Sequence, residues 1–450
     1  MKIAIVGWGL EGQSAFRYFG PEHDYLIVSE EPRDDFPTPS DKIKVQFIDQ
    51  PRQPGITGNV KDLSYLDGVE DCDKIVYTPT VRKNLETRFG DNDQFWNKAT
   101  TNQHIFFETV KTKNIIGVTG TKGKGTTSTL ISKMLESAGH KIFLGGNIGL
   151  PLLDFINDVG PDDWVVLELA NFQLYKFPYS PHIAVCLMIV ADHLDWHPNI
   201  DDYVTAKANI FKHQTLDDLA IYLAGNEYSE QIASTSPGKK IPYFKAPGAY
   251  VNENGMITID KQEVLDKAEV KLFGEHNLQN ACAATTAFWQ VDQNVEAIKQ
   301  VLSTFSGLEH RLEFVRELSG VKYIDDSFGT TPETTEVAIK SFAGPVILIV
   351  GGADKGADYD ALAEQIVKDN VKHVIAIGQI ASTISESLRR RNYTSITYGL
   401  STMPEIVAEA HRVAKAGDVV LLSAATSSFG LFHDYKDRGN QFKAAVRALA

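Results

Sequence analysis

Cysteine is scarce in this chain: among 450 residues there are three, Cys72, Cys186 and Cys282, far apart and in no paired spacing. That excludes a disulfide framework and a cysteine-rich zinc site, and it fits a reducing compartment. Long hydrophobic runs are missing too. The longest, such as Ile183 to Ala191, fall well short of the roughly 20 residues that cross a bilayer, so no membrane partner is expected. The opening segment MKIAIVGWGLEG passes from a short apolar run straight into glycines, which reads as a first β-strand rather than a secretory leader. A cytoplasmic location is the expectation. An excess of basic residues is also absent: 44 Lys and Arg face 58 Asp and Glu, a formal net charge of −14. Coating a nucleic acid or an anionic membrane needs the opposite sign, so no nucleic-acid partner is expected, although a local basic pocket for a phosphate stays open. Tandem repeats and low-complexity linkers are likewise missing.

What is present is ample apolar material, 43% of the residues, enough for about three domains. Strand-like runs alternate with helical patterns: Lys2–Val6, Tyr25–Ser29 and Lys74–Thr78, then Asn114–Thr119, Trp164–Leu169 and Ile183–Val190, then Val346–Val350, His373–Ile377 and Asp418–Leu422. Continuous β-branched runs separated by helices indicate parallel sheets covered on both faces, hence an α/β fold. The rhythm divides into units of residues 1–100, 101–306 and 307–450. A helix is expected over His276–Gln290, and a surface hairpin over Val251–Val264 around Asn254-Gly255.

Two glycine motifs carry the chemistry. Gly7-Trp8-Gly9-Leu10-Glu11-Gly12 closes the first strand and opens a helix from about Gln13 to Phe19, with Ser29-Glu30-Glu31 ending the second strand. Glycines there let a nucleotide diphosphate approach backbone amides at a helix N-terminus. The second motif, Gly120-Thr121-Lys122-Gly123-Lys124-Gly125-Thr126-Thr127, again lies between a strand and a helix, expected over Ser128–Ser137. Its amides and Lys124 suit the phosphates of ATP, and a hydroxyl suits Mg²⁺. Glu168 closes one neighbouring strand and Asp192-His193-Leu194-Asp195-Trp196-His197 follows another. In open α/β sheets the ligand crevice lies beyond the carboxyl ends of strands, so all three meet at one metal–phosphate site. Zinc on His193 and His197 is disfavoured, since no HExxH occurs and Pro198 interrupts.

Together these features resemble the Mur ligases, ATP-dependent amide-forming enzymes of peptidoglycan synthesis, over the whole chain. Its most specific marks are GTKGKGTT, ELANFQL, ADHLDWH, YVTAK (Tyr203–Lys207), GEHNLQN (Gly274–Asn280), LEHR (Leu308–Arg311), GGADKGAD (Gly351–Asp358) and the tail LLSAATSSFGLFHDYKDRGNQF. The tail and ELANFQL resemble most the glutamate-adding branch. The resemblance implies a Rossmann-like N-terminal domain, a P-loop ATPase-like central domain and a Rossmann-like C-terminal domain. It implies that Lys124, Glu168, His193 and Lys207 are catalytic. Thr126 and Glu168 would hold one Mg²⁺ and His193 a second, with Lys207 carbamylated into an anionic metal ligand. ATP would lie on Gly120 to Thr127, with Asn277 and Asn280 at the adenine, His310 and Arg311 at the phosphates, and Asp326 at the ribose. UDP-N-acetylmuramoyl-L-alanine would occupy Gly7 to Gly12, Ser29, Glu30 and Thr78, its arm passing Asn147 and Gln173. Glutamate would meet Thr330, Lys355, Ser428, Phe429 and Tyr435. A monomer is expected.

This sequence departs from that pattern in places. Gly125 is inserted after the loop lysine, Lys122 replaces an asparagine, and Ala170-Asn171 replaces a serine pair. Phe328 stands where the glutamate-adding branch commonly has a lysine. Losing a buried charge partner there costs about 2–5 kcal/mol unless another group replaces it. The added amino acid is thus open between D-glutamate and L-glutamate or another acidic amino acid. The remaining rivals are a nicotinamide oxidoreductase, which has no use for the second glycine loop, and an ATP-gated binding module, in which Glu168 and Lys124 would be idle.

Overall fold

The computed structural model describes residues 1–48, 62–194, 196–272, 274–354, 359–428 and 430–449. Lys355 and Phe429 lie outside the described residues. The chain divides into two compact units, Met1–Val270 with Glu275–Thr304, and Lys271–Gly274 with Phe305–Ala450.

The first unit carries three sheets. Strands β1 (Lys2–Val6), β2 (Asp24–Ser29), β3 (Ile43–Phe47), β4 (Lys74–Tyr77) and β5 (Ala99–Thr100) lie parallel in the order β3-β2-β1-β4-β5. The order reverses between β1 and β4, and a crevice opens at such a point. The second sheet is also parallel: β6 (Ile115–Thr119), β7 (Ile142–Gly146), β8 (Trp164–Glu168), β9 (Ile183–Cys186), β10 (Leu219–Leu223) and β11 (Lys239–Tyr243), in the order β11-β10-β9-β6-β8-β7. Strand β6 therefore sits between β8 and β9, and the segments leaving all three strands emerge side by side. The expected hairpin is present as β12 (Tyr250–Val251), β13 (Met256–Ile259) and β14 (Gln262–Asp266), antiparallel throughout. One continuous core joins the two parallel sheets, with Ile3, Ile5 and Tyr25 of the first and Val165, Leu167 and Ala184 of the second in the same cluster.

The second unit holds β15 (Glu313–Leu318), β16 (Val321–Asp325), β17 (Val346–Gly352), β18 (Val371–Gly378), β19 (Ile396–Tyr398) and β20 (Val419–Leu422), in the order β15-β16-β20-β17-β18-β19. All neighbours are parallel except β15 with β16. Every residue of β17 and β20 is buried, as the unbroken apolar runs require. Among the described residues no helix is long and apolar enough to cross a membrane.

Some expected limits move. The first helix starts at Leu10 rather than Gln13, and the phosphate-loop helix at Lys124 rather than Ser128. The run Ile183–Val190 is a strand only to Cys186. Beyond it, the backbone turns under the glycine loop: Leu187 N donates to Thr119 O at 2.9 Å and Thr121 N to Met188 O at 2.9 Å. Leu187 and Ile189 remain buried there, so apolar character outlasts the strand.

Candidate active site

The lysine-bearing loop leaves β6 and winds into the helix Lys124–Ser137. Gly123 adopts φ +85°, and a Cβ there would come 2.2 Å from Asn280 Oδ1. Only glycine satisfies both constraints. Asn280 donates in turn to Asn277 Oδ1 at 2.9 Å, so that pair is brought to the loop. Lys124 Nζ folds over the loop, donating to Gly120 O at 3.0 Å and Thr121 O at 3.1 Å. The hydroxyl of Thr121 meets the Tyr203 hydroxyl at 3.0 Å. Thr127 Oγ1 and Ser128 Oγ are buried without a hydrogen-bond partner, while Thr126 is half-buried and Lys122 exposed.

Glu168 ends β8 almost fully buried. The pairing of Gly146 with Glu168 carries Asn147 alongside, and Asn147 Nδ2 donates to Glu168 Oε1 at 2.7 Å. Asn147, assigned by resemblance to the muramoyl arm, orients the carboxylate here. Among the described residues no cation lies within ion-pair distance of Glu168. A buried carboxylate closing the strand next to the one that leads into the phosphate loop suits a hard divalent ion, so the residues present fit Mg²⁺.

Lys207 projects from the helix Ile200–Lys212 to the same place. It is 1% exposed, and its Nζ donates to Gly120 O at 2.9 Å and Thr119 Oγ1 at 3.3 Å. Nζ also stands 4.8 Å from the Tyr203 ring centroid. Burial first, and the like charge of Lys124 second, hold its pKa well below the ordinary lysine value. His193 has φ +52° and a partly exposed ring edge-on to Phe172 at 5.0 Å. His197 is different: Nδ1 meets Asp202 Oδ2 at 2.6 Å and Nε2 meets Asn171 Nδ2 at 2.9 Å. Burial keeps its pKa low. Both nitrogens are engaged, so His197 orients its loop and does not pair with His193 as a zinc ligand.

At the first sheet the six-residue glycine motif separates by task. Gly7 takes φ +94° with its Cα face against Thr78 Oγ1, where a Cβ would fall at 2.3 Å; Gly12 backs onto Gly7 O at 2.0 Å by the same measure. Gly9 faces open space, as a position that admits a diphosphate should. Leu10 is exposed, whereas Trp8 is buried, with Nε1 donating to Asp35 O at 3.0 Å. Ser29 is buried, and Glu30 Oε1 accepts from Asn84 Nδ2 at 2.7 Å. Glu11 is held by two amides. Its Oε1 accepts from Gln103 Nε2 at 2.6 Å and from Gln173 Nε2 at 2.9 Å, and burial raises its pKa. Gln173 Oε1 accepts from Ala170 N at 3.0 Å, so this glutamine ties the nucleotide turn to the segment after Glu168.

In the second unit His310 Nδ1 meets Asp325 Oδ2 at 2.7 Å, both groups buried. Asp326 accepts from Leu312 N at 3.1 Å and Ser423 Oγ at 2.7 Å. Burial nonetheless pushes its pKa up to about 7. A carboxyl that binds its proton more tightly folded than unfolded stabilises the fold less as pH rises from about 4 to about 7. Asp326→Asn is therefore expected to flatten the fall in melting temperature over that range, and an unchanged slope would refute the assignment. Arg311 is exposed and carries its guanidinium 5.3 Å from the Phe328 ring centroid. Tyr435 packs edge-on against the same ring at 5.2 Å. The position of the missing lysine thus has a cation beside it. Thr330 is half-buried and Ser428 buried.

Tyr203, Asn171, Asp202 and Arg438 carry no individual signal in the sequence, although Tyr203, Asn171 and Arg438 lie inside the YVTAK, ELANFQL and C-terminal motifs. Their position within those motifs was the available signal. Residues 118–288 match the Mur ligase middle domain, and 310–426 the Mur ligase glutamate ligase domain. A UDP-N-acetylmuramoylalanine–D-glutamate ligase from Clostridium acetobutylicum is 36% identical over 460 aligned positions, covering 100% of this chain and 96% of the relative. Another, from Acetivibrio thermocellus, is 36% identical over 399, covering 86% and 84%. Among solved structures, the UDP-N-acetylmuramate-alanine ligase of Thermotoga maritima superposes with TM-score 0.57 at 16% identity, covering 100% of this chain and 99% of that one. The UDP-N-acetylmuramoylalanyl-D-glutamyl-2,6-diaminopimelate–D-alanyl-D-alanyl ligase of Acinetobacter baumannii gives 0.56 at 17%, covering 77% and 78%. With a phosphate loop, a buried carboxylate and a buried lysine converging at adjacent sheet ends, and with relatives of this identity and coverage, the chain belongs to the Mur ligase family.

Proposed function

We propose that this chain is an ATP-dependent ligase that joins D-glutamate to the alanyl carboxylate of UDP-N-acetylmuramoyl-L-alanine, in peptidoglycan synthesis in the cytoplasm. The observation that carries the reading is that Lys124 and Lys207 both donate to Gly120 O of the glycine loop, with buried Glu168 closing the neighbouring strand. The substrate carboxylate attacks the γ-phosphate, giving an acyl phosphate and ADP; the neutral amine of glutamate then attacks the acyl carbon, and phosphate leaves. Lys124 offsets the charge on the transferring phosphoryl group once it swings from the loop carbonyls. Mg²⁺, when bound, supplies Lewis-acid neutralisation of the phosphate oxygens. Thr126 and Glu168 would hold one ion, His193 and Lys207 a second. The depressed basicity of Lys207 supports the carbamate: a neutral amine adds CO₂ and loses one proton, becoming an anion. His310, Arg311 and Asp326 would serve the nucleotide, and Thr330, Lys355, Ser428, Phe429 and Tyr435 the glutamate. Action as a monomer is part of this reading.

The test is phosphate release with UDP-N-acetylmuramoyl-L-alanine while D-glutamate, L-glutamate and other acidic amino acids are offered in turn. Release with D-glutamate alone supports the proposal; release with L-glutamate instead favours the reading that Phe328 raises. Lys355→Ala is expected to raise KM for the amino acid far more than for ATP, and equal effects would remove it from that pocket.

A further inference from the structure

The helix Arg82–Phe89 begins four residues beyond Thr78, at the β1/β4 crevice of the first sheet. Two cations meet one carboxylate there. Arg82 meets Glu86 at 3.1 Å and Lys176 meets it at 2.8 Å. Lys83 has no ion pair among the described residues. Its Nζ stands 4.6 Å from the Tyr175 ring centroid and 4.7 Å from that of Trp196, with the Tyr175 hydroxyl at 3.5 Å. Ring faces attract a cation without neutralising it, so this half-buried side chain meets no anion among the described residues of a chain whose net charge is −14. Trp196 lies three residues past His193, and Phe172 touches both rings at 5.0 and 5.1 Å. Lys83 therefore spans from the nucleotide crevice to the loop of the proposed metal site. The substrate, a nucleoside diphosphate sugar ending in a carboxylate, has to run the same way.

We propose that Lys83 is a substrate-binding residue whose ammonium takes an anionic oxygen of the nucleotide-linked substrate on its way from the first sheet to the phosphate loop. This rests on the ligase reading above. The aromatic pair holds the ammonium in place before substrate arrives, which reduces the ordering cost of binding. Oxygens of the diphosphate and of the alanyl carboxylate share the required chemistry.

Calorimetry on the full chain separates these. Lys83→Met keeps the aliphatic stem over the rings, and Lys83→Arg keeps the charge. For Lys83→Met the Kd of UDP-N-acetylmuramoyl-L-alanine is expected to rise roughly tenfold to a hundredfold, with Lys83→Arg recovering most of the loss. The Kd of a non-hydrolysable ATP analogue stays unchanged. UDP-N-acetylglucosamine, which has the diphosphate and no carboxylate, weakens equally if the diphosphate is the partner and not at all if the carboxylate is. Unchanged affinity of Lys83→Met for the muramoyl substrate, or failure of Lys83→Arg to recover it, overturns the proposal. Wild-type chain that binds ATP but neither UDP-sugar overturns the ligase reading itself.

Discussion

Lys207→Met is expected to lower kcat by a factor of about 10³ without lowering the melting temperature. The two halves of that expectation come from the same burial. A lysine that is 1% exposed, with only a hydroxyl and a carbonyl as acceptors and a like charge nearby, is costly to keep protonated. Its folded pKa lies below its unfolded one, so the unfolded chain binds the extra proton. Folding stability then rises as pH climbs through the window between the depressed value and the ordinary lysine value. At neutral pH the native lysine is therefore a net cost, and an apolar side chain of similar length removes it. Activity moves the other way, because methionine offers no nitrogen to carry a carbamate or to meet a metal. Protein fed ¹³C-bicarbonate should show a carbamate carbon resonance that the variant lacks. Retention of kcat within tenfold would remove Lys207 from the chemistry, and an early-melting variant would make it a structural residue.

The sheets and the two glycine turns were legible because their signals are local. An unbroken β-branched run reports burial on both faces, and a glycine cluster between strand and helix reports a turn whose amides are free. What those signals do not report is the partner across space. Asn147 and Gln173 are single polar residues in the sequence, and only the β7–β8 register and the packing of the first two sheets reveal that one holds Glu168 and the other Glu11. Trp8 sits inside a nucleotide motif yet faces the core, because successive residues of a tight turn point in unrelated directions. The excess of the Ile183–Val190 run over its strand has the same origin, since packing under the glycine loop demands apolar residues as strictly as a sheet does. Lys83 gains meaning only from rings about ninety and more positions away, and no periodicity encodes that.

Arg438 shows how much a non-local arrangement can weigh. It is fully buried, on the helix Tyr435–Ala448, and it spends its guanidinium on two loops: Nε donates to Ser327 Oγ at 2.9 Å, Nη2 to Ser327 O at 2.8 Å, and Nη1 to Thr426 O at 3.3 Å. Burial pulls its pKa down to about 10 even though Asp325 and Asp326 act to raise it. The cation therefore stays charged at neutral pH, its guanidinium spent on Ser327 and Thr426. Arg438→Met would strand two buried carbonyls and the Ser327 hydroxyl, at a cost of about 3–5 kcal/mol. For a unit of this size that is a fall of roughly 10 °C in melting temperature. Lysine should not rescue it, because a single ammonium cannot reproduce the planar fork that serves both loops. The same loops carry Asp326 and Phe328 on one side and Ser428 on the other, so Arg438→Lys should also raise KM for the amino acid at temperatures where the variant is still folded. Calorimetry and steady-state kinetics test the two effects separately. A loss under about 1 kcal/mol with unchanged KM would mean that the loops hold their places without the guanidinium.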